Sequence, residues 1–158
     1  MRQNILCRFS EKALFILAII SLLVRCEIDH GLGTLDSKIT GDIIFINHDK
    51  MPERIEAVRV VAVVKFPPQG LGDVVFTNSS INLSKSQSEY EIAAPIASYE
   101  RVVAVWKEKG KAWNYANILG FYGFDPINFK FEIIPVVLSE KHPVAKNIDI
   151  YCDWSFVR

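Results

Sequence analysis

The sequence predicts an all-β domain, an antiparallel β-sandwich of about seven strands preceded by an N-terminal apolar signal helix. Apolar and polar side chains alternate with a period of two in several short segments, which is the pattern of half-buried strands. Turn residues, mainly proline, glycine, asparagine and aspartate, separate these segments at short intervals. No convincing long amphipathic helix interrupts the pattern after residue 26, so helices are not expected to contribute to the core.

Seven segments are predicted to form the strands. Glu56–Phe66 is rich in valine and apolar on both faces, which favours a central position in a sheet. Residues 78–87 form a polar loop, within which Ile81–Leu83 is a candidate edge strand. The seven predicted strands are Lys38–Asn47, Glu56–Phe66, Asp73–Thr77, Ser88–Ala93, Ser98–Glu108, Asn128–Leu138 and Lys146–Trp154.

The N-terminal region predicts export. A basic segment precedes the uncharged run Ala13–Val24, which is the order found in signal peptides. The run has 12 residues, fewer than the roughly 20 apolar residues that a bilayer-spanning helix needs. Leu23 and Cys26 resemble a bacterial lipobox, although Arg25 occupies a position where that motif has a small residue. We therefore expect a lipid on Cys26, with a retained, uncleaved anchor as the alternative.

These features divide the chain into a signal peptide at 1–25, a flexible tether at 26–37 and a folded domain at 38–158. Residues 26–158 contain 14 basic and 17 acidic side chains, a net charge of −3. No basic block remains to follow a phosphate backbone, so nucleic acid is not an expected partner. The expected location is the periplasm or the cell surface, with the membrane as a partner through the lipid.

The cysteines allow two exclusive interpretations. If Cys26 carries the lipid, Cys152 has no disulfide partner and is expected to be a small buried residue of the last strand. In an oxidising compartment a disulfide between Cys26 and Cys152 is the alternative. The chain has no C-x-x-C motif, and its three histidines are far apart in sequence. No metal site and no cofactor are therefore predicted.

Four strand patterns resemble those of a known family: ITGDIIF, VRVVAVVKF, YEIAAPIASYERVVAVWK and NIDIYCDW. Together they are similar to transthyretin-like sandwiches of the carboxypeptidase regulatory-like kind, which occur in small bacterial lipoproteins. The resemblance covers about residues 38–154 and implies a fold and an envelope setting, but not an activity. Hydroxyisourate hydrolases share that fold and carry a C-terminal Tyr-Arg-Gly-Ser motif, whereas this chain ends in WSFVR.

The connection Lys107–Phe124 contains the candidate binding residues. Trp113, Tyr115, Tyr122 and Phe124 lie there among small residues, and long aromatic loops on β-scaffolds often bind ligands. Flat rings can stack on sugars or anchor a partner protein. The rings can also simply cover one open end of the sandwich core. Contacts to an envelope protein, contacts to a glycan and a structural role therefore all stay open.

No catalytic arrangement stands out. Asp149 and Asp153 share a face of the last predicted strand, but residues four apart in a strand are roughly 13 Å apart, too far for a glycosidase pair. We expect both to lie on a solvated strand face. The sequence thus predicts a non-catalytic cell-envelope lipoprotein that acts as a binding or structural module. The alternatives are a carbohydrate-binding module that uses exposed aromatics and an envelope hydrolase or hydrolase accessory domain.

Overall fold

Strands dominate the structure, as the sequence predicts. The computed structural model describes residues 36–77 and 79–157, of which 46% lie in strands and 7% in short helical turns. The predicted signal segment, the lipid-attachment residue Cys26 and the tether up to residue 35 lie outside the described residues. Among the residues that are described, no helix is long and apolar enough to span a membrane.

The described residues contain twelve strands and three 3-10 turns, and they belong to one compact unit. The strands are β1 (Lys38–Ile46), β2 (Ile55–Val63), β3 (Val74–Phe76), β4 (Gln87–Ala93), β5 (Ser98–Tyr99), β6 (Arg101–Glu108), β7 (Ile118–Phe121), β8 (Phe124–Asp125), β9 (Lys130–Phe131), β10 (Val136–Val137), β11 (Val144–Ala145) and β12 (Ile150–Asp153). The 3-10 turns are η1 (His48–Lys50), η2 (Leu71–Asp73) and η3 (Trp154–Phe156).

The strands form two larger sheets and two short pairs. In the first sheet β4 pairs with one edge of β1 along most of the length of β1. β11 and β12 pair with different parts of the opposite edge of β1. The second sheet has the order β3-β2-β6-β7 and is antiparallel throughout. The short pairs are β5 with β10 and β8 with β9. As predicted, β2 is a central strand.

The arrangement departs from the predicted antiparallel sandwich of about seven strands in two respects. Both β11 and β12 run parallel to β1, because an alternating pattern determines which face is buried but not the direction of the neighbouring strand. The predicted strands after residue 97 are also divided into shorter pieces. Glu100 separates β5 from β6, and the predicted strand Asn128–Leu138 becomes β9 and β10. Ile81 is buried in the core, but no strand forms at Ile81–Leu83.

The two larger sheets share one hydrophobic core. Alternate residues of β1 and β12, including Ile39, Ile43, Ile150 and Cys152, are fully buried on the inner face of the first sheet. Val58, Val60 and other alternate residues of the second sheet belong to the same cluster. Burial raises the pKa of the Cys152 thiol well above its usual value. Its alternative partner Cys26 lies outside the described residues.

Gly41 lies where β1 meets the backbone before β12. A side chain here would collide with the backbone of Ile148, whose carbonyl carbon would be 2.6 Å from a Cβ atom. The Ile148 N–H donates to the Thr40 carbonyl at 3.1 Å. The Ile148 carbonyl accepts the hydroxyl of Tyr90, whose pKa burial raises. The glycine of the first strand pattern is therefore required by close packing between backbones.

A buried tyrosine stabilises the turn between β4 and β5. The Tyr99 ring is fully buried, and its hydroxyl donates to the carbonyl of Pro95 at 2.7 Å. Desolvation raises the pKa of this hydroxyl. This bond from a tyrosine at the start of a strand to a carbonyl four residues upstream has the geometry of a tyrosine corner.

One prediction about the C-terminal segment is wrong. Asp153 was expected on a solvated strand face, but only 8% of its surface is exposed. Its carboxylate accepts from Asn47 Nδ2 at 2.8 Å and caps η3 by accepting from Ser155 N at 2.9 Å. Burial alone would raise the pKa of Asp153, but these hydrogen bonds outweigh it and lower the pKa. Trp154 follows in η3 rather than in the strand, and its buried ring stacks on Phe45.

Candidate binding surface

The outer face of the second sheet is apolar and is partly covered by the chain itself. The alternate residues of β2 and β6 that point away from the shared core are mostly valines, and they form a second buried cluster. Trp113 and Tyr115, from the connection between β6 and β7, pack against this cluster. The cluster consists of Val61, Val63, Val74, Val103 and Val105. β2 and β6 are therefore apolar on both faces. One face packs into the shared core, and the other forms this surface.

Polar contacts hold the β6–β7 connection in place. The Glu56 carboxylate accepts from Lys107 Nζ at 2.6 Å and from Gly110 N at 3.2 Å. The hydrogen bond from Lys107 is the main cause of the lowered pKa of Glu56. Asn114 forms a turn by accepting from Ala116 N at 2.9 Å through its side chain. These bonds set the path on which Trp113 lies over the sheet.

Arg59 extends from β2 into the middle of this apolar face. Its guanidinium carbon lies 5.4 Å from the ring centroid of Phe76 and 5.3 Å from that of Trp113, within the range of cation–π contacts. Its Nε atom is buried and has no hydrogen-bond partner in the described part of the chain. Within residues 36–77 and 79–157, no carboxylate lies within 4.0 Å of the Arg59 guanidinium. The charge thus lies near two aromatic rings and is not neutralised by any of the described carboxylates.

A small cavity opens beside Arg59. Its volume is about 140 Å³, and apart from the arginine its walls are mainly hydrocarbon and aromatic rings. Leu71 of η2 stands at its edge with 77% of its surface exposed. The residues that line the cavity are Arg59, Val61, Leu71, Phe76, Val105, Trp113 and Tyr115.

The four predicted contact residues lie in three different environments, and all four are half-buried. Trp113 and Tyr115 line the Arg59 cavity. Tyr122 packs against the core between the sheets, so a structural role fits it best. Phe124 belongs to a cluster of rings near β8 and β9, where it stacks on Phe121 at 5.5 Å between centroids. The predicted connection also contains β7, which the sequence pattern did not indicate.

Sequence reasoning missed Arg59 and Phe76 as parts of the site. Arg59 is the one charged residue between Ala57 and Val64 in a segment that is otherwise apolar on both faces. A cation within such a segment is an unusual feature that could have marked the position. Phe76 and Leu71 reach the cavity only through the pairing of β3 with β2, which no local pattern indicates.

A second apolar feature runs from the turn of the β8–β9 hairpin through β9 to Ile133. Four large side chains alternate with polar neighbours here and are strongly exposed: Ile127 65%, Phe129 91%, Phe131 71% and Ile133 59%. Phe129 has a positive φ of 52°, a conformation that bulky residues rarely adopt. Asp125 stabilises the turn by accepting from Asn128 and Ile127, and the Asn128 side chain is the main cause of its lowered pKa.

The outer face of the first sheet is polar instead. Two open clefts of about 880 and 540 Å³ share Asp42, Glu89, Tyr90 and Glu91 among their lining residues. The Asp149 carboxylate at the second cleft accepts from Asp42 N at 2.9 Å. In the described part of the chain, no three metal-ligating side chains come together as they would in a metal site.

Compared with known proteins, the chain matches no family model, no curated protein and no solved structure.

Proposed function

We propose that the chain is a non-catalytic binding module of the bacterial cell envelope, held to a membrane by a lipid on Cys26. In this proposal the folded part is a β-sandwich of the transthyretin-like or Ig-like kind. Two features support that type of fold: the core shared by two sheets and the bond from the Tyr99 hydroxyl to the Pro95 carbonyl. The N-terminal pattern of a basic segment, an apolar run and Cys26 supports the envelope setting.

The observation that carries the binding function is the cavity beside Arg59. It combines apolar walls with one cation and the exposed edge residue Leu71, which is the usual composition of a small-ligand site. Trp113 and Tyr115 give the cavity rigid aromatic walls, which lose little conformational entropy when a ligand binds. The aromatic connection therefore acts in recognition as well as in covering the sheet.

Several polar groups that a hydrolase could use for catalysis are instead engaged in structural hydrogen bonds. Asp153 holds Asn47 and caps η3, and Asp149 accepts from the backbone of Asp42. His48 contacts the Leu83 carbonyl at 2.8 Å through Nε2. A general acid or base must be free to reach a substrate proton. These engagements favour the binding module over the hydrolase alternative.

Photo-crosslinking tests the binding function. A photoreactive amino acid replaces Leu71 at the cavity edge, and the same amino acid replaces the exposed Glu140 as the matched control. Irradiation of cells should give an adduct from position 71 that Trp113→Ala abolishes, and none from position 140. Mass spectrometry identifies the adduct as a small molecule, a glycan or a protein. No adduct at position 71, or equal adducts at both positions, would contradict a binding role for this cavity.

Lipid labelling tests the anchor separately. Wild-type protein and Cys7→Ala should incorporate a labelled fatty acid equally, whereas Cys26→Ala should incorporate none. Equal labelling of all three variants, or of none, would remove the lipoprotein part of the proposal.

A carbohydrate-binding module is the second candidate because Trp113 and Tyr115 are half-exposed on one surface. One side of the Trp113 ring already faces Arg59, so a sugar would have to stack on the other side. Tryptophan fluorescence with a broad glycan panel tests this candidate. A response that Trp113→Phe removes and Trp106→Phe leaves unchanged would favour it, and no response to any glycan would exclude it.

A further inference from the structure

We propose that the Arg59 cavity binds a carboxylate carried on an apolar group of about the size of one aromatic ring. The inference rests on the proposed binding function and names the chemistry of its ligand.

The charge of Arg59 has no anionic partner among the described residues. Arg59 is half-buried, and its guanidinium lies within cation–π range of both Phe76 and Trp113. None of the described carboxylates lies within 4.0 Å of it. The other arginine on this face, Arg101, stacks on Phe66 at 5.8 Å but also donates from Nη1 to the Glu100 carbonyl at 2.8 Å. A partly desolvated cation is stabilised only in part by aromatic rings. An incoming anion would complete its stabilisation.

The shape and the single charge of the guanidinium favour a carboxylate as the anion. The planar guanidinium presents donors in a fork that matches the two oxygens of a carboxylate. The Nε donor of Arg59 has no hydrogen-bond partner among residues 36–77 and 79–157. The cavity contains one cation and otherwise apolar walls, so one negative charge balances it. A phosphate group, with about −1.5 to −2 charges, would leave part of its charge unpaired here.

The size and the lining of the cavity limit what the rest of the ligand can be. The cavity volume of about 140 Å³ is close to that of an apolar cavity of about 150 Å³ that accepts benzene. Val61 and Val105 line it beside the arginine, and the Trp113 and Tyr115 rings line it as well. A single ring or a branched aliphatic group of that size can enter, with its carboxylate held at Arg59.

The ligand has two chemical sources, a free organic acid or the C-terminus of a peptide that ends in an apolar residue. Both present the same carboxylate beside an apolar group. The experiment therefore uses phenylacetate and phenylacetamide as one pair of probes. A short peptide that ends in phenylalanine, with a free or an amidated C-terminus, is the second pair.

The measurement is an NMR titration of the full chain in detergent micelles with valine methyl groups labelled. The Val61 and Val105 methyls report binding at the cavity rather than partition into the micelle. We expect phenylacetate to shift these signals with a Kd on the order of 1 mM, as suits a small ligand. Phenylacetamide should bind at least about tenfold more weakly, because it offers one neutral acceptor oxygen in place of the two charged oxygens of the carboxylate.

Variants connect the preference to Arg59. Arg59→Gln should remove the preference for the acid over the amide, and the matched control Arg101→Gln should keep it. Arg59→Lys retains the charge without the fork, so it should bind the acid more weakly than wild type and still prefer it to the amide. This second variant keeps the test valid if Arg59→Gln does not fold.

Three outcomes would overturn the proposal, and each is distinguishable from the others. Equal cavity shifts by acid and amide would remove the role of the carboxylate and leave the binding function standing. A preference that survives Arg59→Gln would remove the role of Arg59. No cavity shift with any of the four probes would overturn the inference, and crosslinking from position 71 would then decide the binding function independently. Binding by the free peptide alone would support the proposal and identify a peptide C-terminus as the source.

Discussion

Replacement of Gly41 by alanine should destabilise the domain strongly, because β1 and the segment before β12 touch through their backbones. A Cβ atom at this position would lie 2.6 Å from the carbonyl carbon and 2.9 Å from the nitrogen of Ile148, where ordinary contacts begin at 3.4 Å. The two backbones would have to separate by several tenths of an ångström. β1 and the buried Ile148 both lie next to the shared core, so the movement cannot stay local.

The magnitude follows from what the separation disturbs. Overpacking of this kind costs about 1–3 kcal/mol. The Ile148 carbonyl that must move is the acceptor of the buried Tyr90 hydroxyl, and an unsatisfied buried group costs about 1–3 kcal/mol. The lower backbone entropy of alanine in the unfolded chain offsets about 0.5–1 kcal/mol. We expect a net loss of about 3 kcal/mol, or a Tm lower by about 10 °C for a domain of this size.

Thermal unfolding followed by near-UV circular dichroism measures this loss, and Gly72→Ala is the matched control. No heavy atom lies within 4 Å of a Cβ at Gly72, so that variant should melt within about 2 °C of wild type. Tyr90→Phe, which removes only the hydroxyl, should lie between the two. If Gly41→Ala melts together with the control, the close approach of Ile148 to β1 does not exist and the reasoning fails.

Three further predictions concern other parts of the domain. The pKa of Asp153 is lowered in the folded state, so its contribution is present above its ordinary pKa near 4 and is lost as the pH falls through the folded value. Asp153→Asn should therefore flatten the acid limb of a stability–pH curve, and an unchanged limb would contradict the role of the Asn47 contact. Phe129→Asp should reduce dye binding to exposed apolar surface with little change in Tm, because the ring is 91% exposed; a large drop in Tm would show that the ring is packed. Cys152 should resist thiol reagents in the native protein and should react with them once the protein is unfolded, with no reductant added. No reaction of Cys152 after unfolding would indicate the disulfide with Cys26.

The sequence predicts the regular strands of the fold well and the irregular ones poorly. In β4 the apolar Tyr90 and Ile92 alternate with Glu89 and Glu91, and the structure buries the first two and exposes the glutamates. β7 is short and lies in an aromatic segment with glycines, where no period of two can be recognised. The parallel pairing of β1 with β12 depends on contacts across more than a hundred residues, for which a single strand contains no signal.

In the candidate site, too, the residues marked by a local sequence pattern were predicted, and those brought together from distant segments were not. Trp113 and Tyr115 were predicted as contact residues because aromatic rings in a long connection form a local pattern. Their separation from Tyr122 and Phe124 results from β7, which directs the chain away from the cavity. The aromatic surroundings of Arg59 form only when Phe76 and Trp113 approach it from distant segments. A charge within a valine-rich strand marks an unusual position but does not indicate its neighbours.

The pairing of β1 with β12 has a consequence for the timing of folding. Ile43 to Ile46 pair with Ile150 to Asp153, so the central strand of the first sheet keeps one edge open until the last strand has been synthesised. Contacts between such distant residues form slowly because a long loop must close first. A chain emerging from the ribosome therefore cannot complete this sheet early. The edge of β1 that pairs with β12 therefore stays open until residues 150–153 have left the ribosome.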